Sequence, residues 1–401
     1  MNPNLRSDVP SSGVPSGMSM VLIGTYPPTE CGIATYTANL RSGLDRAGVA
    51  CRVVRVLERG DTRDTPPPID PNDVLVDWWA LDDPEGPERC ARTASRFDAV
   101  LLQHEFGIYP GPDGVDVVRF AEACRAPLFT VLHTALRTPT SSQREIIEGI
   151  ARQSVLVIVH SAVARDRLLA AHDIDASQVV VVPHGATPNL SGPPALTSPD
   201  PIVLTWGLLG PGKGIERGIR AIAQLRRQGL DARYVIAGET HPNVRKREGE
   251  AYRDGLCELA SELGVGDLVE FRGTYASWAE LRAVVRSADV VLLPYDTRDQ
   301  VTSGVLVEAI AAGKPVVATA FPHAVELSRT GAVEVVGHDD DDAIAHILAR
   351  ILDDDQLRDR MRAAARAESA QYAWPIIGTR IRTLVETSIP GVALRHPLAA
   401  G

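Results

Sequence analysis

The chain has 401 residues, of which 44% are hydrophobic and 23% charged, a composition typical of globular proteins that have more than one core at this length. The net charge of −10 argues against binding of nucleic acid or anionic lipid through bulk charge. Five cysteines without a C-x-x-C pair favour reduced thiols and a cytoplasmic protein over a disulfide framework or a zinc site.

The first half of the chain alternates short β-branched runs with segments of helical periodicity. Residues 1–17 form a polar tail without the apolar core of a signal peptide, and no apolar run approaches the ~20 residues of a transmembrane span. The alternation predicts right-handed βαβ units around a parallel sheet. The predicted strands are Ser19–Thr25, Arg52–Leu57, Ala99–Gln103, Leu128–His133, Val155–Val159 and Val179–Val182. The predicted helices are Thr35–Ala47, Val115–Cys124, Gln143–Arg152 and Ala162–His172.

A segment rich in Pro, Ser and Gly, residues 188–199, indicates a linker, and the same alternation resumes after it. The strands predicted there are Ile202–Trp206, Arg233–Ala237, Leu268–Arg272, Val290–Leu293, Pro315–Thr319 and Val333–Val336. The sequence therefore predicts two α/β domains of the Rossmann type. The expected divisions are a tail at 1–17, an N-terminal domain at 18–190, a linker at 191–200, a C-terminal domain at 201–372, a helix at 373–389 and a tail at 390–401.

Doubly wound sheets bind ligands beyond the carboxyl ends of their strands, so the loops at those ends are searched first for chemistry. In "GTYPPTECGIATYTANL" (24–40), Gly32 follows the first strand's loop and precedes a helix. Glycine lets a ligand approach the backbone closely, and the free amides of a helix N-terminus suit an anion. Any Rossmann-like domain has a turn at this place, so a purely structural role competes with a binding role.

Histidines also follow predicted strands. His104 stands between Gln103 and Glu105, His133 ends the next predicted strand, and His184 precedes the linker. Two histidines at neighbouring strand ends favour a functional site slightly over a structural role. A metal centre is not expected, because no third ligand has convincing spacing.

The stretch "WGLLGPGKG" (206–214) joins a predicted strand to a predicted helix. Gly207, Gly212 and Lys213 match the start of a P-loop, in which backbone amides and a lysine hold phosphate. Gly214 replaces the Ser or Thr that binds Mg²⁺ in a P-loop. The loop therefore predicts phosphate binding without a metal ion.

The most specific stretch is "YDTRDQVTSGVLVEAIAAGKPVVAT" (295–319). Ser303 and Gly304 open a predicted helix that carries Glu308 about one turn from its start. A carboxylate there can accept hydrogen bonds from a ribose diol, and the amides from Gly304 to Leu306 suit phosphate or sugar oxygens. Gln300 lies in the preceding loop.

These motifs together resemble the retaining, nucleotide-sugar-dependent glycosyltransferases of group 1, which have the GT-B fold. The resemblance runs from Met18 to about Ile389 and depends on "CGIATYTANL", "VPHG", "G-x-x-x-x-x-K-G" and "SGVLVEAIAAGKPVVAT". Three further stretches, "PPTECGIATYT", "QHEFGIY" and "GLLGPGKGIE", resemble a bacterial, mannosyltransferase-like subgroup. The resemblance implies two facing Rossmann-like domains with parallel sheets and a C-terminal helix that crosses back to the N-terminal domain.

The resemblance also implies residue roles. The residues implied in catalysis are Lys213, which stabilises the leaving diphosphate, His133, which lies near the reacting sugar, and Gln300. Glu308 is implied to hold the ribose, and Arg272 and Tyr275 flank the turn that reads the nucleobase. The residues implied to contact the donor mainly through their backbone are Gly32, Gly207, Gly212, Ser303, Gly304, Val305 and Leu306.

Two positions depart from the family pattern, which usually has Arg at Leu208 and Glu at Gln300. Loss of the arginine removes a charge-assisted hydrogen bond worth roughly 1.5–3 kcal/mol. A cation from another loop could replace it, and the candidates are Arg245, Arg247 and Arg298.

The implied reaction moves a hexose of mannose or glucose type from a UDP- or GDP-sugar to a hydroxyl of a saccharide, glycolipid or small molecule. Neither a metal ion nor a tightly bound cofactor is expected, and the loops Ala80–Glu88 and Glu239–Glu250 are expected to select the acceptor. Two alternatives stay open. One is a non-catalytic protein that binds sugar nucleotides, which the departures at Leu208 and Gln300 favour, and the other is a phosphorylase or epimerase of the same fold.

Overall fold

A computed structural model describes residues 17–29, 31–57, 74–273 and 278–389. The strands and helices before the proline-rich segment are β1 (Ser19–Gly24), α1 (Gly32–Arg46), β2 (Ala50–Val56), β3 (Leu75–Trp79), α2 (Gly86–Ala94), β4 (Ala99–His104), α3 (Asp116–Ala123), β5 (Leu128–Leu132), α4 (Ser141–Gln153), β6 (Ser154–Val159), α5 (Ala162–Ala171) and β7 (Val179–Val181).

A second series of elements follows that segment. It consists of β8 (Ile202–Trp206), α6 (Ile215–Arg227), β9 (Arg233–Ala237), α7 (Pro242–Glu248), α8 (Ala251–Glu262), β10 (Val269–Arg272), α9 (Trp278–Ser287), β11 (Val290–Leu293), α10 (Gly304–Ala311), β12 (Val316–Thr319), α11 (Pro322–Ser328), β13 (Val333–Val336), α12 (Asp341–Asp353), α13 (Asp355–Ser369) and α14 (Trp374–Ser388).

The strands form two sheets, with the orders β3-β2-β1-β4-β5-β6-β7 and β10-β9-β8-β11-β12-β13. Every pairing whose register is described is parallel. In both sheets the first strand of the series lies in the middle, and the chain builds outward in one direction before it returns to build in the other. This is the doubly wound order of Rossmann folds, so the predicted α/β class with two parallel sheets is confirmed.

The chain divides into two compact units. The first contains residues 1–131, 149–156 and 378–401, and the second contains residues 132–148 and 157–377. The second unit thus includes the ends of β5 and β6 as well as the whole second sheet. The domain bounds expected from the sequence, at 190 and 201, stay predictions.

Most predicted strands agree with the structure to within two residues, but β3 was not predicted. Asp77 interrupts its apolar run, and the sequence alone did not show how a carboxylate could be accommodated in a strand. In the structure Asp77 pairs with Arg89 and accepts a hydrogen bond from Thr93 Oγ1 at 2.7 Å, both on α2. The helix next to the strand therefore satisfies the charge.

The two segments expected to be acceptor-selecting loops each contribute to a helix. Residues 80–88 lead into α2, which has a proline in its first turn, and residues 239–250 contain α7, which also begins at a proline. Proline is tolerated in the first turn because the amide it lacks has no helical partner there. The expectation that these segments are loops was therefore wrong for residues 86–88 and 242–248, whereas residues 80–85 are not helical.

The last helix, α14, contributes to both units, because Trp374 to Ile377 belong to the second and the remainder to the first. In the second unit, the Trp374 side chain is 7% exposed and packs on Gly185. In the first, Gly378 contacts the backbone of Gly43, and the Arg382 guanidinium donates to the carbonyl of Ala47 at 2.7 Å. Trp374 is therefore a packing residue in this structure. None of the described helices is both long and apolar enough to cross a bilayer.

The turn into α6 has no space for a side chain at Gly214. This residue precedes the helix with φ 61° and ψ 25°, and a Cβ atom there would lie 1.8 Å from the carbonyl oxygen of Pro294. Gly212 also has a positive φ, of 88°, but no atom of the described residues lies within 4 Å of its Cβ position. A side chain would therefore overlap a backbone atom at Gly214, whereas at Gly212 it would only strain the backbone conformation.

We expect Gly214→Ala to lower the free energy of unfolding by about 3 kcal/mol or more, because the methyl group would overlap a backbone atom. Gly212→Ala is the matched control and should cost only the backbone strain of about 1–2 kcal/mol. Urea unfolding followed by circular dichroism measures both. Equal losses in the two variants would contradict this close approach.

Candidate active site

The second sheet has its topological switch point between β8 and β11, where a doubly wound sheet opens a crevice for a ligand. The loop after β8 carries the sequence "GLLGPGKG" (207–214), and the loop after β11 leads into α10. The two loops are joined, since the Asp296 amide donates to the carbonyl of Gly212 at 3.0 Å. The sheet order therefore brings together the two motifs that the sequence singled out.

Lys213 belongs to the loop after β8, and its side chain extends to the loop after β11. Its Nζ is 4.5 Å from the centre of the Tyr295 ring, and burial lowers the pKa of its ammonium group. Tyr295 is fully buried and is also hydrogen-bonded to the side chain of Ser303. A single aromatic residue thus contacts both the candidate phosphate-binding lysine and the residue that precedes α10.

The amino end of α10 leaves two amides for a ligand. The Leu306 amide donates to Ser303 Oγ at 3.2 Å, and the Ser303 amide donates to Nδ1 of His323 at 2.9 Å. The amides of Gly304 and Val305 have no hydrogen-bond partner among the described residues, as expected for the first turn of a helix. An anion at this helix end would therefore be bound by Gly304 and Val305.

Glu308 faces Trp206, the last residue of β8. The Trp206 Nε1 donates to Glu308 Oε2 at 3.4 Å, and burial raises the pKa of the Glu308 carboxyl to about 7, an effect that this hydrogen bond opposes. The carboxyl is half-buried. It is therefore available as a hydrogen-bond acceptor for a diol, and its protonation state changes close to neutral pH.

Gln300 and Arg272 are held by neighbours of their own. The Gln300 amide nitrogen donates to the carbonyl of Thr302 at 3.1 Å. The Arg272 guanidinium donates to Glu270 at 2.6 Å, and its carbonyl accepts the Gly238 amide at 2.8 Å. Gly238 in turn lies against Gly207, since a Cβ atom at Gly238 would be 1.9 Å from the Gly207 oxygen. Tyr275 lies outside the described residues.

Gly32 belongs to the first unit, where it begins α1. Cys31 caps that helix, because its Sγ accepts the Ala34 amide at 3.3 Å. Among the described residues, no atom beyond its chain neighbours and its own helix backbone lies within 4 Å of a Cβ position at Gly32. The implied contact between Gly32 and a diphosphate stays a prediction.

The histidines separate into two groups. His104 lies in the first unit, fully buried against Phe106 and Tyr109, and burial lowers the pKa of its imidazole to about 3. His133 and His184 lie in the second unit and are connected through His160, with ring centres 5.2 and 5.4 Å apart. The expectation that His104 and His133 form one site stays a prediction, whereas His133 and His184 belong to one cluster in the second unit.

Leu208 is 38% exposed, and the three arginines considered as replacements for the family's arginine each pair with an acid. Arg245 pairs with Glu239 at 3.5 Å, Arg247 with Glu248 at 2.7 Å and Arg298 with Asp339 at 2.8 Å. Arg245 lies on α7, whose Val244 packs on Gly210 of the loop after β8.

Among the described residues, no group of three or more His, Cys, Asp or Glu side chains is arranged to hold a metal ion.

Two family profiles match adjoining parts of the chain. The profile for "Glycosyltransferase Family 4" matches residues 31–190, and the profile for "Glycosyl transferases group 1" matches residues 188–368. The chain belongs to the group 1 glycosyltransferase family. The second profile contains the loop after β8 and the whole of α10, which are the segments that form the candidate site.

Curated relatives of this chain are named D-inositol 3-phosphate glycosyltransferase. The protein from Streptomyces scabiei is 30% identical over 280 residues, which cover 63% of this chain and 61% of the relative. The protein from Corynebacterium glutamicum is 29% identical over 296 residues, which cover 66% of this chain and 68% of the relative. The chain thus spans about three fifths of the length of the first of these relatives.

Solved structures share the fold of this chain over most of its length. Anabaena Alr3699/HepE in complex with UDP has a TM-score of 0.74 at 19% identity, covering 92% of this chain and 100% of that protein. A glycosyltransferase from Rickettsia africae has a TM-score of 0.73 at 15% identity, covering 93% and 99%. This likeness confirms the predicted GT-B fold class.

The sequence pointed to Lys213 and Glu308 but missed Trp206 and Tyr295, which contact them, and also missed His160 and His323. Trp206 and Tyr295 stand at or just after the ends of β8 and β11, and His160 directly follows β6, as His133 follows β5. The strand-end position that drew attention to His133 was therefore a usable signal for His160. His323 follows the proline that begins α11, and its role depends on a contact that no local pattern reveals.

We expect the stability of the protein to fall as pH rises from about 4.5 to 7, in part because of Glu308. The folded protein keeps a proton on this carboxyl that the unfolded chain releases near its ordinary pKa of about 4.3, so the unfolded state binds fewer protons in this window. Relative to wild type, the free energy of unfolding of Glu308→Gln should rise by about 2 kcal/mol across that window and change no further above it.

Urea unfolding of both proteins at several pH values measures this difference. The variant Glu258→Gln on α8, where the side chain is exposed, is the matched control. A difference between Glu308→Gln and wild type that stays constant from pH 4.5 to 7 would show that the carboxyl is not protonated in the folded protein.

Proposed function

We propose that the protein transfers a hexose from a nucleoside diphosphate sugar to an acceptor hydroxyl, with retention of configuration and without a metal ion. The observation that carries the proposal is the set of groups at the switch point of the second sheet. They are the cation of Lys213, the two unpartnered amides of Gly304 and Val305, and the carboxyl of Glu308.

The leaving group in this reaction is a nucleoside diphosphate, which gains negative charge as the glycosidic bond breaks. An ammonium group and helix amides that are already in position stabilise such charge without reorganisation. Gly214 lacks the hydroxyl with which a P-loop binds Mg²⁺, and the Pro294 carbonyl occupies the space such a side chain would need. These features favour charge stabilisation by the protein's own groups.

Retention through departure and attack on the same face of the sugar needs no enzyme nucleophile. The carboxyl of Glu308 is bonded to Trp206 and is proposed to accept the ribose hydroxyls instead of attacking the sugar. His133 and Gln300 are proposed to contact the hexose. Gly32 is proposed to contact the diphosphate, and the main chain near Arg272 and Tyr275 is proposed to contact the base.

A UDP-hexose is the first donor to test, because Anabaena Alr3699/HepE has been crystallised with UDP and with UDP-glucose. GDP-mannose is the second, because of the mannosyltransferase-like stretches in the sequence. For the acceptor, the names of the curated relatives make D-inositol 3-phosphate the first candidate of the small-molecule class.

A non-catalytic protein that binds sugar nucleotides is the second candidate function. It is favoured by the exposed Leu208 in place of a cation, and by the Gln300 amide, which is bonded to its own loop. Calorimetric binding of UDP and GDP without turnover of any donor would support it over the transferase.

The proposed function is tested by a donor screen. The protein is incubated with UDP-glucose, GDP-mannose and related donors, with and without acceptor, and nucleoside diphosphate and product are detected by mass spectrometry. We expect release of the diphosphate at a rate that EDTA changes by less than about twofold, because Lys213 and the α10 amides supply the stabilisation. Loss of activity in EDTA with recovery in Mg²⁺ would contradict the metal-free reaction, and dependence on inorganic phosphate would indicate a phosphorylase.

Lys213→Ala is expected to lower kcat by about 10²–10³-fold, as removal of a single transition-state donor commonly does. Arg227→Ala, at an exposed cation on α6, is the matched control and should change kcat by less than about twofold. Steady-state kinetics with the best donor measures both variants. An unchanged kcat in Lys213→Ala would remove the lysine from the proposed role.

A further inference from the structure

His323 connects α11 to the loop that leads into α10. Its imidazole Nδ1 accepts the Ser303 amide at 2.9 Å, and its own amide donates to the carbonyl of Gln300 at 3.3 Å. The side chain is 3% exposed, so water does not compete for these bonds. One residue thus holds both ends of the four-residue segment from Gln300 to Ser303.

The bond to Ser303 determines the protonation of the ring. A nitrogen that accepts an amide hydrogen bond carries no proton, so His323 is neutral and its proton lies on Nε2. Burial agrees with this, since it lowers the pKa of the imidazole to about 3, helped by the nearby His160.

Another histidine packs against the first residue of α10. Carbon and nitrogen atoms of the His184 ring, Cε1 and Nε2, lie 3.1 and 3.2 Å from a Cβ position at Gly304. The start of α10 is therefore confined by the His184 ring and fixed by the His323 hydrogen bond. Inside the helix, Ser303 takes up the Leu306 amide, so the amides that remain are those of Gly304 and Val305.

We propose that His323 is a positioning residue for the donor diphosphate: by accepting the Ser303 amide, its imidazole fixes the start of α10 so that the Gly304 and Val305 amides are presented to the phosphate oxygens. The inference rests on the proposed function, because it assumes that a diphosphate binds at this helix end. His323 itself does not contact the donor. Its effect passes through Ser303, which without His323 would leave a buried amide without a partner.

The two amide side chains, Asn and Gln, provide the test. Asn carries its oxygen on Cγ, where His carries Nδ1, and can accept the Ser303 amide, whereas Gln carries its oxygen one atom further along. We expect His323→Asn to retain the Kd for the nucleoside diphosphate within about twofold. His323→Gln and His323→Ala should raise that Kd and the donor KM by about tenfold and leave the acceptor KM unchanged.

The measurement is calorimetric titration with UDP and GDP, together with donor and acceptor kinetics. Thermal unfolding of each variant sets a temperature at which all of them are folded, and the Asn and Gln variants decide the question if the Ala variant does not fold. Equal Kd values for the Asn and Gln variants, or a folded Asn variant that loses affinity, would overturn the role of His323. Failure of the wild-type protein to bind either nucleotide would instead overturn the proposed function.

Discussion

The close approach of two backbone segments shapes the candidate site. The turn before α6 and the loop after β11 approach so closely at Gly214 and Pro294 that the first has no space for a side chain. The same approach joins Asp296 to Gly212 and brings Lys213 over the ring of Tyr295. Because the contact is between main-chain atoms, the position of Lys213 depends on the loop's conformation more than on side-chain packing. Gly214, which departs from the P-loop pattern, is thus required for this position of Lys213.

The constraint extends from Tyr295 into α10. Tyr295 is hydrogen-bonded to Ser303, Ser303 caps Leu306, and His323 accepts the Ser303 amide. Each of these contacts uses a group that could otherwise bind a ligand, so only part of the helix end is left for one. The sequence implied that four backbone positions, Ser303 to Leu306, contact the donor. These hydrogen bonds leave the amides of Gly304 and Val305 available, and two adjacent amides suit a small anionic group as the ligand.

Local signals predicted the parts of the fold that depend on local sequence. The β-branched runs predicted the strands, and the strand-end loops led to Lys213, Gly304 and Glu308. What was missed depends on distant contacts. The strand β3 contains Asp77, whose charge is paired with Arg89 and which also accepts a hydrogen bond from Thr93, both on α2. The imidazole cluster joins histidines from separate strand ends, and Trp206 lies 102 positions from Glu308. Periodicity in the sequence does not reveal contacts between residues so far apart.

Burial shifts the pKa values of the two charged groups of the site in opposite directions. It lowers the pKa of Lys213 and raises that of Glu308, so in both residues it disfavours the charged form. Under the proposed function, the donor reverses both effects, because a diphosphate stabilises the ammonium group and ribose hydroxyls stabilise the carboxylate. The donor would then oppose the desolvation that disfavours both charges. A cation that is stabilised mainly by the phosphate it contacts responds directly to the charge that develops there as the glycosidic bond breaks.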